Sequence, residues 1–248
     1  MAKSNSAEKN SWTLHEPLAV HHLSHDLRGP LNSILGFSEL LLEGIEGPLN
    51  DTQTEDIAAI YHSAQNLLHL INSLVDLSKL QANRLKFDFD AVDLTTVFQR
   101  IAAVEFGAMK PANLDLVIDE PPATLPSLSG DAARIEQMIL NLLRYAFKIK
   151  RSGQLKLTAH HREPDVVIQI SLPEVLVPVE DMAVLFDLGV RVDAAGRSEL
   201  GPGGLELPLV RSLAAHHGGQ ARVESGAESG THLYLTLPVY DITVEKGI

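Results

Sequence analysis

Two runs of mostly apolar residues at alternating four- and three-residue spacing constrain this chain more than any other feature. Leu27, Leu31, Ile34, Ser38 and Leu41 form the first, within residues 17–43; Ile57, Ile60, Ala64, Leu67, Ile71, Leu74 and Ser78 form the second. That spacing keeps each set on one seam of a long helix. Between them, GIEGPLND supplies two glycines, a proline and an Asn-Asp pair, which end one helix and start another. The expected unit is a helical hairpin. Two helices alone cannot cover both seams, so pairing with a second copy into a four-helix bundle is the expected burial.

After Asn83 the pattern changes. Leu85, Phe87 and Phe89 alternate with polar residues, and PPATLPSLSGD forms a proline-rich loop. Asp131 then opens an amphipathic helix with Ile135, Met138, Ile139, Leu142, Leu143 and Ala146 on its inward face. Strand-like runs at residues 155–159, 166–172, 220–224 and 232–237, with a helix over about 205–217, predict a mixed sheet covered on one face by helices. The fold class expected is therefore α+β: a polar tail over 1–14, a helical hairpin over 15–84 and an α/β sandwich over 85–248. Aromatic residues are only 5% of the chain, so both cores must rest on aliphatic side chains.

Composition removes several function classes. A net charge of -12 argues against a nucleic-acid partner, which needs a basic patch. No cysteine is present, so thiolate metal sites, disulfides and cysteine nucleophiles are excluded. No apolar run approaches the ~18 residues of a membrane span. A cytoplasmic protein without a membrane segment is expected.

The segment SHDLRGPLNSIL, residues 24–35, carries the first candidate chemistry. His25 stands two residues from both Leu23 and Leu27, so at ~100° per residue it points away from the seam. Asp26 follows directly, and a carboxylate near an imidazole can hold one ring nitrogen protonated while the other acts as nucleophile. The segment resembles the phosphoacceptor box of two-component sensor histidine kinases. HLINSLVDLSKLQANRLKFDFDAVDL, residues 69–94, resembles their second helix and its connection to an ATPase domain. The resemblance implies that His25 is phosphorylated on nitrogen, that Asp26 is its acid/base helper, and that Arg28 and Pro30 complete the motif. Gly29 departs from the family, which has Thr or Asn there to position a water for dephosphorylating a partner regulator.

The second half resembles the ATPase domain of the same family, a fold shared with gyrase and Hsp90-type ATPases. The resemblance implies ATP and Mg²⁺ as cofactors. In GDAARIEQMILNLLRYAFKI, Asn141 matches the first asparagine that reaches Mg²⁺ and phosphate and is the one remaining metal-ligand position; Tyr145 replaces the second. Lys148 matches a phosphate contact. Counting back from VEDMAVLFD puts Leu172 at the adenine-reading aspartate, with Glu174 and Leu176 at glycine positions. In GPGGLEL, Gly203 and Gly204 remain for the triphosphate, whereas Pro202 and Glu206 replace glycines.

Acceptor intact and nucleotide motifs eroded, the chain reads as a homodimeric phosphotransfer protein with an impaired ATP site. His25 would pass phosphate to an aspartate of a response-regulator receiver domain, with another histidine kinase or a phosphorylated regulator as donor. Two other readings stand beside it. One is an active ATP-dependent autokinase binding nucleotide through Asn141, Lys148 and Gly204. The other is a non-enzymatic dimeric scaffold that binds a kinase or a regulator. His216 and His217 are expected to be structural or solvated, because adjacent helix residues do not face the same way.

Overall fold

The computed structural model describes residues 17–104, 106–107, 110–188, 190–192, 198–200 and 204–240. The expected tail over 1–14, and Pro202 and Gly203, lie outside the described residues. Helix α1 (Pro17–Leu42) continues past Pro30, and α2 (Asp51–Gln81) runs back against it. Gly44 and Gly47 take positive φ in the turn, as the break between the seams required. Asn50 starts α2 through a capping box: its side chain accepts from the Gln53 amide, and the Gln53 side chain accepts from the Asn50 amide. Within one chain the seam is only partly covered. Leu31, Ala64 and Ile71 are buried, but Leu27, Ile34, Ile60 and Leu67 are 37%, 42%, 52% and 47% exposed.

The remainder is the predicted α/β sandwich. A short strand β1 (Asp90–Val92) leads into α3 (Leu94–Ala102), capped by the Asp93 carboxylate on the Thr95 and Thr96 amides. Then come β2 (Leu114–Ile118), β3 (Leu128–Gly130), α4 (Ala132–Ile149), β4 (Gly153–Arg162) and β5 (Asp165–Leu172). A single turn α5 (Val179–Met182) and the pair β6 (Val190–Val192) and β7 (Ser198–Leu200) precede α6 (Glu206–His216), β8 (Gln220–Gly226) and β9 (Gly230–Pro238). The main sheet has the order β2-β4-β5-β9-β8; β2 and β4 are parallel and the other neighbours antiparallel. Strand alternation puts Leu155, Leu157, Ile168, Ile170, Leu233 and Leu235 on the inner face, all fully buried. Ile135, Met138, Ile139, Leu142, Leu143 and Ala146 of α4 are equally inaccessible, so the face expected to turn inward does.

Residues 85–89, where apolar and polar residues alternate, lie outside the sheets; strand pairing begins at Asp90, opposite Gly130. Phe87 and Phe89 instead place their rings against His217, with centroids 5.4 and 4.9 Å away, and Phe87 also stacks on His216. In addition, α3, β2, β3 and the β6–β7 pair were not resolved from the pattern, being short segments of three to nine residues. His217 is structural as expected. Its Nδ1–H donates to the Leu213 carbonyl at 2.8 Å, and Nε2 accepts from the Asp131 amide at 3.2 Å. Gly130 is required there, because a Cβ would lie 2.7 Å from the His217 ring.

The hairpin and the sandwich meet along α2 and α4. Asp76 Oδ2 accepts from Arg134 Nη1 and from Gln137 Nε2, each at 2.8 Å, and Arg134 also donates to Gln137 Oε1 at 2.7 Å. Leu77 and Leu80 of α2 join the main core beside this network. Seven residues earlier, on the same face of α2, His69 has its Nε2 buried without a hydrogen-bond partner.

Burial first, then the neighbouring Arg144 of α4, lowers the pKa of His69 to about 4; Glu206 of α6 opposes this and Lys148 of α4 adds to it. Burial also lowers that of His217. Both rings are neutral in the fold near pH 7. As pH falls below the ordinary histidine value of 6.5, the unfolded chain takes up protons that the fold refuses. Stability contributed by these residues is therefore complete above 6.5 and lost as pH falls toward the folded values. The urea midpoint is expected to fall between pH 7 and pH 5, with His69→Gln recovering about 2 kcal/mol of the loss at pH 5. An equal pH dependence in the variant would assign the loss to other groups. A separate check is Leu142→Ala, expected to cost about 3 kcal/mol by urea denaturation because the site is fully enclosed.

Candidate functional site

His25 sits on the open side of α1. Its side chain is 82% exposed and that of Asp26 79%, with Asp26 Oδ1 3.6 Å from His25 Nδ1. Ser24 and Leu31 on the same helix are buried, so the imidazole faces away from the hairpin interior, as the spacing predicted. The side chain of Leu23 lies outside the described residues. The carboxylate lies on the Nδ1 side of the ring, just beyond direct hydrogen-bond range. Pro30 is exposed. Gly29 borders open space: a Cβ placed on it would meet nothing within 4 Å, so packing does not demand glycine here.

Arg28 reaches across the hairpin. Its Nε and Nη2 both donate to Asn72 Oδ1 of α2, at 3.2 and 2.8 Å. Nothing in the sequence reading singled out Asn72, because its role depends on the antiparallel register that brings residue 72 opposite residue 28.

The positions matched to nucleotide contacts gather on one face of α4 and at the start of α6. Asn141 is 1% exposed, and neither amide atom has a hydrogen-bond partner among the described residues. Tyr145, one turn on, is 4% exposed with its phenol oxygen also unpartnered. Burial, reinforced by Asp181, pushes that phenol well above its ordinary range, so it stays protonated. A buried neutral phenol is a poor ligand for a cation that takes compact oxygen donors.

Lys148 is not simply solvated. Its Nζ pairs with the Glu206 carboxylate, which is only 5% exposed at the first residue of α6. Gly204 lies just before it, half-buried. His69 of α2 and Ala133, Glu136, Gln137, Leu140, Asn141 and Arg144 of α4 line a cavity of about 210 Å³. Burial lowers the pKa of Arg144, and Glu206 raises it.

At the matched adenine position, Leu172 ends β5 fully buried in the core. Glu174 keeps a glycine-like backbone, with φ at 67°, and the buried Lys150 fastens this turn by donating to the Pro173 carbonyl at 2.7 Å. Leu176 is 54% exposed. Gly230 seals the turn from below, since a Cβ there would lie 2.6 Å from the Leu172 carbonyl oxygen. Helix α2 touches both groups of residues: Asn72 holds Arg28, one turn along α1 from His25, while His69 and Asp76 face α4.

Comparison with known proteins matches these two regions separately. Residues 18–83 match the family model of the His Kinase A (phospho-acceptor) domain. Residues 130–241 match that of the histidine kinase-, DNA gyrase B- and HSP90-like ATPase. The chain is 34% identical over 224 residues to histidine protein kinase DivJ of Caulobacter vibrioides, covering 88% of this chain and 36% of DivJ. It is 30% identical over 242 residues to the autoinducer 2 sensor kinase/phosphatase LuxQ of Vibrio cholerae, covering 96% of this chain and 28% of LuxQ. The chain thus spans about a third of the length of these curated relatives. Among solved structures, full-length ShkA in complex with AMPPNP shares the fold, with a TM-score of 0.66 and 24% identity over 90% of this chain and 46% of ShkA. The Acinetobacter baumannii histidine kinase AdeS does so with a TM-score of 0.55 and 18% identity over 88% of this chain and 98% of AdeS. No described helix is long and apolar enough to cross a membrane. With the acceptor helices and the ATPase-type sandwich matched in order along one chain, this protein belongs to the two-component sensor histidine kinase family.

Proposed function

We propose that this chain is a two-component signalling protein whose His25 takes up a phosphoryl group and passes it to an aspartate of a response-regulator receiver domain, while its ATP site is impaired. The hairpin over residues 15–84 is the acceptor and dimerisation unit, and residues 85–248 are the ATPase-like unit. The observation that carries the reading is the Lys148–Glu206 pair. A buried carboxylate occupies a position where the family keeps glycine, and it takes the lysine that would otherwise meet phosphate. Bringing a triphosphate there means separating the lysine from a buried carboxylate and setting like charges side by side, both unfavourable. Tyr145 and Leu172 add to this by removing a compact metal ligand and the adenine acceptor.

At His25 the exchange balances without ATP. The Nε2 lone pair attacks phosphorus as the bond to the donor breaks; in the second step the P–N bond breaks and a P–O bond to the receiver carboxylate forms. The Nδ1 proton stays throughout, with the Asp26 carboxylate on that side of the ring to offset the positive charge. Exposed Leu27, Ile34, Ile60 and Leu67 support a homodimer, since a second hairpin would remove them from water. Another histidine kinase, or a phosphorylated regulator, is the donor in this reading.

The parent protein is expected to show no heat of binding with ATP and Mg²⁺ at millimolar concentration. Glu206→Gly together with Tyr145→Asn should raise affinity at least about tenfold, the value of one regained charge-assisted contact. Parent binding as tight as the variant's would overturn the impaired site. For the acceptor, incubation with a phosphorylated receiver should leave acid-labile phosphate on the parent and none on His25→Ala. Equal labelling from ATP alone would instead make the chain an autokinase.

A further inference from the structure

Arg28 is held by a neutral group, and that choice has chemical content. Its two hydrogen bonds both end on Asn72 Oδ1. Because arginine only donates, the amide must present its oxygen, which settles the orientation of Asn72. Two of the five guanidinium N–H groups are used and three remain. Among the described residues Arg28 makes no ion pair. Asp26 is two residues away on the helix, and residues at that spacing do not face each other. The positive charge is thus located but not neutralised.

Its location matters because residues three apart on a helix are neighbours, which places Arg28 one turn along α1 from His25, whose ring is exposed. Free of Asn72, a long arginine side chain on an exposed helix would sample many rotamers. The hairpin does not need this bond for cohesion: Leu31, Ala64 and Ile71, with Leu35 and Leu68, form its interior, and the Arg28–Asn72 bonds lie on the exposed rim.

Resting on the phosphoacceptor reading of His25, we infer that Asn72 is a positioning residue, fixing the Arg28 guanidinium so that its spare N–H groups receive the phosphoryl oxygens arriving at or leaving His25. Phosphoryl transfer leaves little covalent work for the protein and is governed by placement of charge around the oxygens. Asparagine supplies the anchoring oxygen without the counter-charge that an aspartate would bring.

Phosphoramidate serves as a phosphoryl donor that needs neither nucleotide nor partner: the His25–phosphorus bond forms, the phosphorus–ammonia bond breaks, and ammonia leaves. The full chain is incubated with phosphoramidate, and the rate of His25 phosphorylation is followed by phosphorus NMR and peptide mass spectrometry, alongside thermal midpoints. Asn72→Ala is expected to slow phosphorylation about tenfold, equivalent to one charge-assisted hydrogen bond. Arg28→Ala should slow it as much, and Arg28→Ala with Asn72→Ala should be no slower than Arg28→Ala alone. Asn72→Asp is the decisive variant. It grips Arg28 at least as well and keeps the thermal midpoint, yet neutralises the guanidinium, so phosphorylation slows although the fold does not weaken. Parent-like rates in Asn72→Ala and Asn72→Asp, or single effects that multiply in the double variant, overturn this inference alone. A parent protein that takes no phosphoryl group at His25 overturns both it and the reading beneath it.

Discussion

Helix α4 packs against two environments at once, and the rest of the molecule is arranged around that division. Its inner stripe, from Ile135 to Ala146, is fully enclosed beneath the sheet and fixes the helix in place. Its other stripe carries Arg134, Gln137, Arg144 and Lys148, polar groups that are costly to bury without partners, beside Asn141, whose amide is buried without one among the described residues. Asp76 of α2 satisfies the first two, and Glu206 of α6 satisfies Lys148. The hairpin is attached to the sandwich by meeting the hydrogen-bonding needs of this helix as well as by apolar contact.

Fold and site chemistry draw on different properties. Apolar burial depends on volume and periodicity, so the core takes up Leu172, and the backbone at Glu174 follows a glycine-like path. Site chemistry depends on single polar atoms at defined points, as where the Glu206 carboxylate meets Lys148. The His25 face makes fewer demands on packing: an exposed imidazole has a carboxylate near one ring nitrogen, and Arg28 is anchored one turn along the same helix.

Legibility followed the range over which each signal acts. The helices over 17–42, 51–81 and 132–149 repeat their pattern for several turns, and their ends carry caps such as Asn50 and Asp131 that act within four residues. The long antiparallel strands were equally readable. Short elements such as β3, whose three residues are ordered by β1 and by the end of β9, both distant in the chain, were not. The alternation at Phe87 and Phe89 reflects packing on His216 and His217 at the end of α6, a contact that local sequence does not contain.

The amino-acid sequence by itself determined the two-part architecture and the outward placement of His25, since both follow from local periodicity and residue chemistry. Only the tertiary structure decided which distant side chains meet. Lys148 reads as a solvated helix lysine until α6 brings Glu206 to it, and Asn72 reads as an ordinary polar residue until the hairpin register brings Arg28 to it. Both pairings join residues 44 or more positions apart. Contacts over such separations are set by how packed faces align, a property of the whole fold that no window of sequence contains.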